Sequence, residues 1–459
     1  MSRATRIGSV VAGALALAAL VTSCATVPAG RPPQAGPPPV RRVVERPAPP
    51  AAAPGEAVRG PGRLRLEQEP MIEVGLAWDL ETAEFTPRTG IYVTYPDGTS
   101  EPAGEVIRVA RAAGGATFDN ATGRASPRSG RLERGDTLWV GNPRLPGGSR
   151  VQWNSKTWRG AFKVFLGPRG GLTVALRLPL ESYLLGVVPG EIGGLTKDLV
   201  EAGRAQAIAA RSYTLFYRGR RASEGFDIYG TVEDQVYGPA ESERPLATEC
   251  VEQTRGRVAL YEGQPIRANY CSTCGGMSAE VWEAWPSAAL PYLECRRDRA
   301  GADDFCSASP QYRWRERWAA SEFLFFVERH GPALGLSLPP GGLGDLVDVR
   351  AEARSRSGRV WRLLVRTTKG DVAIPAYAIR GVLRRAGTPS AILRSNLFKI
   401  DVRRDRATGR ALEVVASGAG AGHGVGLCQT GALGMARGGA KAEEILRHYY
   451  PRIELERLY

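Results

Sequence analysis

The 459-residue chain is poor in histidine, with three (His330, His423 and His448) beside 61 lysines and arginines. That scarcity leaves no His-rich catalytic metal motif, and neither Ser–His–Asp nor Cys–His spacing supports a nucleophile. Long apolar runs are scarce too: the run Ile7–Leu20 falls short of the roughly 20 residues that a membrane-spanning helix needs. Missing as well are the G-K-[ST] of a phosphate loop, a basic-region helix, zinc-finger spacing, an RNP-like aromatic motif and any internal repeat. Nucleotide and nucleic-acid readings therefore lack support, although the formal net charge of +14 favours an anionic partner. A membrane surface or an acidic polysaccharide remains, and a generally arginine-rich proteome would give the same charge. With 43% hydrophobic residues the chain can bury a substantial core, as one large domain or two.

Arg3 and Arg6 precede the apolar run, which ends in Val21-Thr22-Ser23-Cys24. This is the pattern of an export signal and is set apart from the fold. The tetrapeptide resembles a bacterial lipobox, so residues 1–23 are expected to be a lipoprotein signal peptide and Cys24 the lipidated residue. The alternative is a secretory signal cut elsewhere. Ala25, not Asp, follows the cysteine, which favours the periplasmic face of an outer membrane. Residues 24–61 are rich in Pro and Ala and read as a semi-rigid tether reaching roughly 100 Å if extended.

From residue 62 onward short strands and turns dominate. Ile72–Leu76 alternates, Gly90–Tyr95 leads into the turn Pro96-Asp97-Gly98, and Phe162–Leu166 with Leu172–Leu176 predicts a hairpin. Helical periodicity follows from 196 to 218, with Thr196 as N-cap, and again at Ala442, Ile445, Leu446 and Tyr449 before Pro451. Strands and helices are grouped without βαβ alternation, which predicts an α+β, strand-rich fold with a few helices around a groove. Strand-like runs within 321–415 suggest an inserted module.

The stretch Leu178–Tyr213 places one carboxylate, Glu191, on a Pro/Gly turn before an Ala-rich helix. A carboxyl at a groove rim can donate a proton to a leaving oxygen; a solvated surface glutamate is the plainer reading. Gln206 and Tyr213 lie seven apart, as do Arg204 and Arg211, so each pair falls on one helical face. These four, with Gln429, are candidates for polar contact with a substrate, and helix bracing is the alternative for the two arginines. Gln235, Tyr237, Tyr270 and Ser272 combine ring faces and hydrogen-bonding groups suited to sugars, although core packing explains an isolated tyrosine equally well. Gln235 and Tyr237 rank ahead of Tyr270. His423 lies in a glycine-rich segment, Gly418–Gly434, whose glycines permit close backbone approach. His330 and His448 are read as structural. Beyond Cys24, six cysteines remain, and Cys271, Cys274, Cys295 and Cys306 fall in one segment containing a C-x-x-C. They suit a structural tetrahedral zinc or, in an exported protein, disulfides.

Several long stretches carry a further resemblance. LESYLLGVVPGEI followed by AGRAQAIAARSYTL, then FDIYGTVEDQVYG (Phe226–Gly238), IRANYCSTCGGMSAE (Ile266–Glu280) and GAGAGHGVGLCQTGALGMARGGAKAEEILRHYYP (Gly418–Pro451), resemble the SpoIID/LytB family in its order. The resemblance covers about residues 62–455: a strand-rich part (62–177), a catalytic core (178–320), the candidate insert (321–415) and the terminal motif (416–455). It implies a peptidoglycan lytic transglycosylase in which Glu191 is the catalytic acid, no cofactor is required for catalysis, and Gln206, Arg211, Tyr213, Gln235, Tyr237, Ser272, His423 and Gln429 line a glycan-binding groove. Some members hold zinc near the Cys271 segment, with a His where Cys271 stands. Strands already stripped of stem peptides are the implied substrate, whose lactyl carboxylates suit a basic groove. The alternatives are a hydrolytic muramidase using a second carboxylate (Asp198, Asp234 or Glu280) and a non-catalytic enhancer of a cell-wall amidase.

Overall fold

Alternating apolar residues in the first third build two facing sheets. The computed structural model describes residues 62–459 except 88, 89, 123, 124, 143 and 145. Arg3, Arg6, Cys24 and the Pro/Ala-rich segment lie outside the described residues. One sheet has seven strands in the order 228–229, 71–80, 172–179, 161–166, 138–140, 92–94 and 100–102. The other has six, in the order 156–159, 150–153, 82–87, 106–112, 115–122 and 125–132. Phe85 and Phe162 meet across the interface with ring centroids 4.8 Å apart. Strand Leu172–Pro179 is buried on both faces, because Phe226 and Tyr229 cover Ala175 on the far side, and its sequence is correspondingly apolar without alternation. The expected hairpin is present, with Phe162–Leu166 antiparallel to Leu172–Leu176.

Strand Leu172–Pro179 runs directly into α1 (Leu180–Glu191). The Pro189-Gly190-Glu191 sequence, expected to be a turn, is instead the last turn of this helix. Thr196 heads a 3-10 turn (Lys197–Leu199), where its hydroxyl bonds Asp198 and not a backbone N–H, so α2 (Val200–Tyr217) begins four residues later than expected. Small residues let α2 pack against α1, α3 (Pro245–Gln253) and strand Arg257–Tyr261, burying nearly every position. A buried ion pair ties α1 to α2. Arg211 donates to both oxygens of Glu181 at 2.9 and 2.7 Å, and Tyr459 Oη and Gly256 N–H add bonds at 2.6 and 3.1 Å. Burial alone would raise the Glu181 carboxyl; the guanidinium and these donors outweigh it and hold the group below its usual range.

A second hydrophobic core, with Trp318, Phe323, Ile374 and Phe398 at its centre, is formed within residues 314–416. It is enclosed by α4 (Ala320–His330), α5 (Ala376–Val382) and two three-stranded sheets. Trp314 already belongs to it, so the insert starts before the expected boundary at 321. Its entry strand Arg313–Ala319 pairs with its exit strand Ala411–Ala419, Arg313 opposite Ala419. The chain then returns to the first core through α6 (Gln429–Arg437), α7 (Ala442–Tyr449) and strand Glu454–Arg457, which pairs with Arg257–Tyr261. The architecture is α+β and strand-rich. No helix among the described residues is long and apolar enough to cross a membrane.

Candidate functional site

Glu191 ends α1 and faces two segments that fold topology brings to it. The first is the loop 230–238, which can lie on α1 because Gly186 has no side chain. A Cβ there would stand 2.5 Å from Gly238 O and from the Tyr237 ring. This approach delivers Val236 N–H to Glu191 Oε1 at 2.9 Å. The second is a zipper between Tyr270-Cys271 and Leu427-Cys428, paired as parallel strands, which carries Gln429 to the end of α6 nearest Glu191. Gln429 Nε2 donates to Glu191 Oε2 at 3.3 Å, and the Tyr270 hydroxyl bonds the same carboxyl. Burial raises the Glu191 carboxyl above its usual range, and these three neutral donors offset only part of that. A protonated carboxylic acid held this way can act as a proton donor.

Behind Tyr270 stands a buried polar brace. Gln235 donates to Tyr270 Oη at 2.9 Å and accepts from Thr214 Oγ1 at 2.7 Å and Tyr183 Oη at 3.4 Å. Tyr270, ranked behind Gln235 and Tyr237 on sequence, is therefore the residue that touches the acid. The other two are corrected: Gln235 is buried and positions Tyr270, and Tyr237 is a core ring packed on Tyr183 and Trp158 at 5.1 and 5.7 Å.

Further expected groove residues also prove internal. Gln206 is fully buried and Arg211 is committed to Glu181. Tyr213 is buried against Tyr217 and Tyr270. Arg204 braces α2 on α3 through Glu201 and Gln253. The seven-residue spacing does place each pair on one face; that face is the one α2 buries. Ser272 has an exposed side chain, and its carbonyl accepts Thr430 N–H at 3.0 Å. His423 is a latch. Its Nδ1 accepts Val425 N–H at 3.0 Å while the ring bonds the Tyr270 backbone, so neither nitrogen is offered to a groove. Burial and the cations Arg380, Arg267 and Arg359 push it down to about 3, and the ring stays neutral.

The His423 ring packs on Trp285, centroids 4.7 Å apart, and Trp285 opens a cavity of 660 Å³ between the two cores. Trp282, Trp361 and Tyr377 line it with Ser287 and Arg362. Trp282 and Trp361 meet edge to face at 5.0 Å. Contacts thus run without a break from Glu191 through Tyr270 and His423 to an aromatic wall.

The cysteines are arranged differently from expectation. All six described cysteines are free thiols. Cys271 and Cys295 do not join Cys274 and Cys306; Cys428 and Asp298 do, with the four ligand atoms within 4.8 Å of one another. Pairing of 270–271 with 427–428 brings Cys428 from the end of the chain to the Cys274 segment, which a ligand set chosen by sequence proximity could not anticipate. The signal was present in Cys428, next to Gln429 in the final motif.

Residues 168–261 match the SpoIID family model, described as Stage II sporulation protein, and residues 302–426 match a Domain of unknown function (DUF8618). Stage II sporulation protein D of Bacillus subtilis is 27% identical over 288 residues, covering 60% of this chain and 73% of that protein. The Amidase enhancer of the same organism is 27% identical over 307 residues, 58% of this chain and 39% of its own length. In these matches the chain is similar to the SpoIID/LytB family. An uncharacterized protein of Brachyspira hyodysenteriae is similar at 26% identity over 293 residues, 62% of this chain and 68% of the other. The second family match, 302–426, spans the second core and ends inside the glycine-rich segment that carries His423.

Proposed function

We propose that this protein is a peptidoglycan lytic transglycosylase with Glu191 as its acid and base. One observation carries the reading: a largely buried carboxyl, raised above its usual range, held by Val236 N–H, Gln429 and Tyr270 at the convergence of three motifs. In the protonated state Glu191 gives its proton to the oxygen joining N-acetylmuramic acid to N-acetylglucosamine. The carboxylate left behind takes the proton of the muramoyl C6 hydroxyl as that oxygen attacks C1, and a 1,6-anhydro end forms without water. The carboxylates that could serve a hydrolytic muramidase are engaged elsewhere. Asp198 bonds Thr196, Asp234 pairs with Arg220 and receives Tyr229 N–H, and Glu280 receives the Trp282 indole N–H. The aromatic cavity beside His423 supports a carbohydrate substrate, since indole faces stack on pyranose rings.

The test is mass spectrometry of glycan strands, intact and amidase-denuded, after digestion. Anhydro ends that appear with wild type, favour denuded strands and vanish with Glu191→Gln support the reading; reducing ends without anhydro sugar overturn it. A second reading, enhancement of a cell-wall amidase without cleavage, is favoured by the relative of that name. It wins where wild type leaves strands uncut and still accelerates an amidase. The lipobox-like Val21–Cys24 supports a lipid anchor in the envelope, facing the wall from an outer membrane. Loss of membrane fractionation in Cys24→Ala is the expected result.

A further inference from the structure

The residues Cys274, Asp298, Cys306 and Cys428 come from three parts of the chain, Asp298 and Cys306 flanking one hairpin, and converge in the first core. Each is at most 1% exposed. Four polarisable or ionisable groups buried together would be costly without something to bind, because none of them gains water and they compete for the same few protons.

The spacing fits a metal better than a bond between sulfurs. Cys274 and Cys306 sulfurs are 3.8 Å apart. Two thiolates about 2.3 Å from a tetrahedral ion stand about 3.8 Å apart, whereas a disulfide requires about 2.05 Å. Three thiols also cannot all be consumed by disulfides among themselves. The Asp298 carboxyl is turned onto the thiols of Cys274 and Cys306, and its Oδ1 is fixed by Tyr449 Oη at 2.6 Å. The backbone supplies what a thiolate needs: Cys274 N–H and Gly431 N–H donate to Cys428 Sγ at 3.2 and 3.3 Å. Gly431 is itself obligatory there, since a Cβ would meet Asp298 Oδ1 at 2.7 Å.

We infer that Cys274, Asp298, Cys306 and Cys428 form a structural site for a tetrahedral divalent metal, with zinc the ion that suits three thiolates and one carboxylate. Binding releases the protons of the thiols and leaves no open coordination position, so the site builds structure and does no chemistry. Its placement gives it a particular task. Cys428 is the N-cap of α6 and the neighbour of Gln429, so the metal fastens the Cys274 segment to the turn that presents Gln429 to Glu191. The site stands independently of the reaction assigned to Glu191.

The experiment measures metal in the purified full-length protein and in single variants by elemental analysis, then repeats the binding with cobalt(II) as a probe. One zinc per chain is expected, with sulfur-to-cobalt charge-transfer absorption and tetrahedral d–d bands after exchange. Asp298→Asn and Cys428→Ser should lose the metal, and chelation should lower the melting temperature. Cys271→Ser and Cys295→Ser should keep it, and these two variants preserve the test where the ligand variants fail to fold. Substoichiometric zinc in wild type with no cobalt–thiolate absorption overturns the site, and so does loss of metal in Cys271→Ser.

Discussion

Glu181 and Glu191 stand ten residues apart, at opposite ends of α1, and the fold holds one ionised and favours the proton on the other. Both are withdrawn from water. The difference lies in what surrounds them: Glu181 faces a guanidinium in two-point contact, and Glu191 faces a backbone N–H, an amide and a phenol, all neutral. Neutral donors stabilise a carboxylate without cancelling its charge, so burial prevails at Glu191 and the ion pair prevails at Glu181. One helix thus carries a structural rivet and a carboxyl that holds its proton more tightly than usual, separated by partner chemistry alone.

Breaking the reactive end should give the largest effect. Glu191→Gln is expected to lower strand cleavage by about 100-fold or more, with folding intact by circular dichroism. Wild-type cleavage that depends on protonated Glu191 should fall as pH rises through its raised value. Breaking the rivet comes next. Arg211→Ala leaves the Glu181 charge buried and unpaired, and urea unfolding should show a loss of about 3–5 kcal/mol. The joint change Glu181→Leu with Arg211→Met should recover much of that, but not all, because Gly256 N–H and Tyr459 Oη lose their acceptor.

Smaller perturbations sharpen the contrast. Gln429→Ala or Tyr270→Phe removes a donor to the Glu191 carboxylate at a cost of about 1 kcal/mol, and the alkaline limb of the pH–rate profile should move to higher pH. The smallest effect concerns stability. A carboxyl raised by the fold binds its proton more tightly folded than unfolded, so its contribution is present below the ordinary carboxylate range and is lost as pH rises through the raised value. Glu191→Gln should therefore melt a few degrees higher than wild type near neutrality, and the two melting curves should converge in acid. A mutant less stable at every pH would contradict the assignment of Glu191 as the strained partner.

Much of this was legible in the residues. The α+β class, the 162–176 hairpin, the 442–449 helix and the strand-like runs before the final motif follow from periodicity and turn chemistry, which are local signals. What sequence could not convey is which face of a helix turns inward. Gln206, Arg211 and Tyr213 look like a polar rim on paper, yet α2 is wrapped on all sides, so Gln206 and Tyr213 are buried and Arg211 becomes a brace. Tyr270 and Tyr237 carry the same side chain, and only the tertiary pairing of residues 270–271 with 427–428 sets one beside the acid and the other in the core. The thiol cluster failed for a related reason, since proximity in sequence selected Cys271 and Cys295 over Cys428, which lies more than 150 residues from Cys274.

The base of the inserted unit has a mechanical consequence. Its two connections to the rest of the chain are neighbouring rungs of one antiparallel ladder, hydrogen-bonded from Arg313–Ala419 to Ala319–Glu413. Arg359 reaches back across the gap to the carbonyls of Cys274 and Met277, and Ser355 and Ser357 engage Glu283. A swinging lid needs a compliant stalk, and this stalk is part of a three-stranded sheet latched at a second point. The second core is thus held as a fixed thumb against the palm formed by the first, and the separation of the cavity walls between them is set in advance.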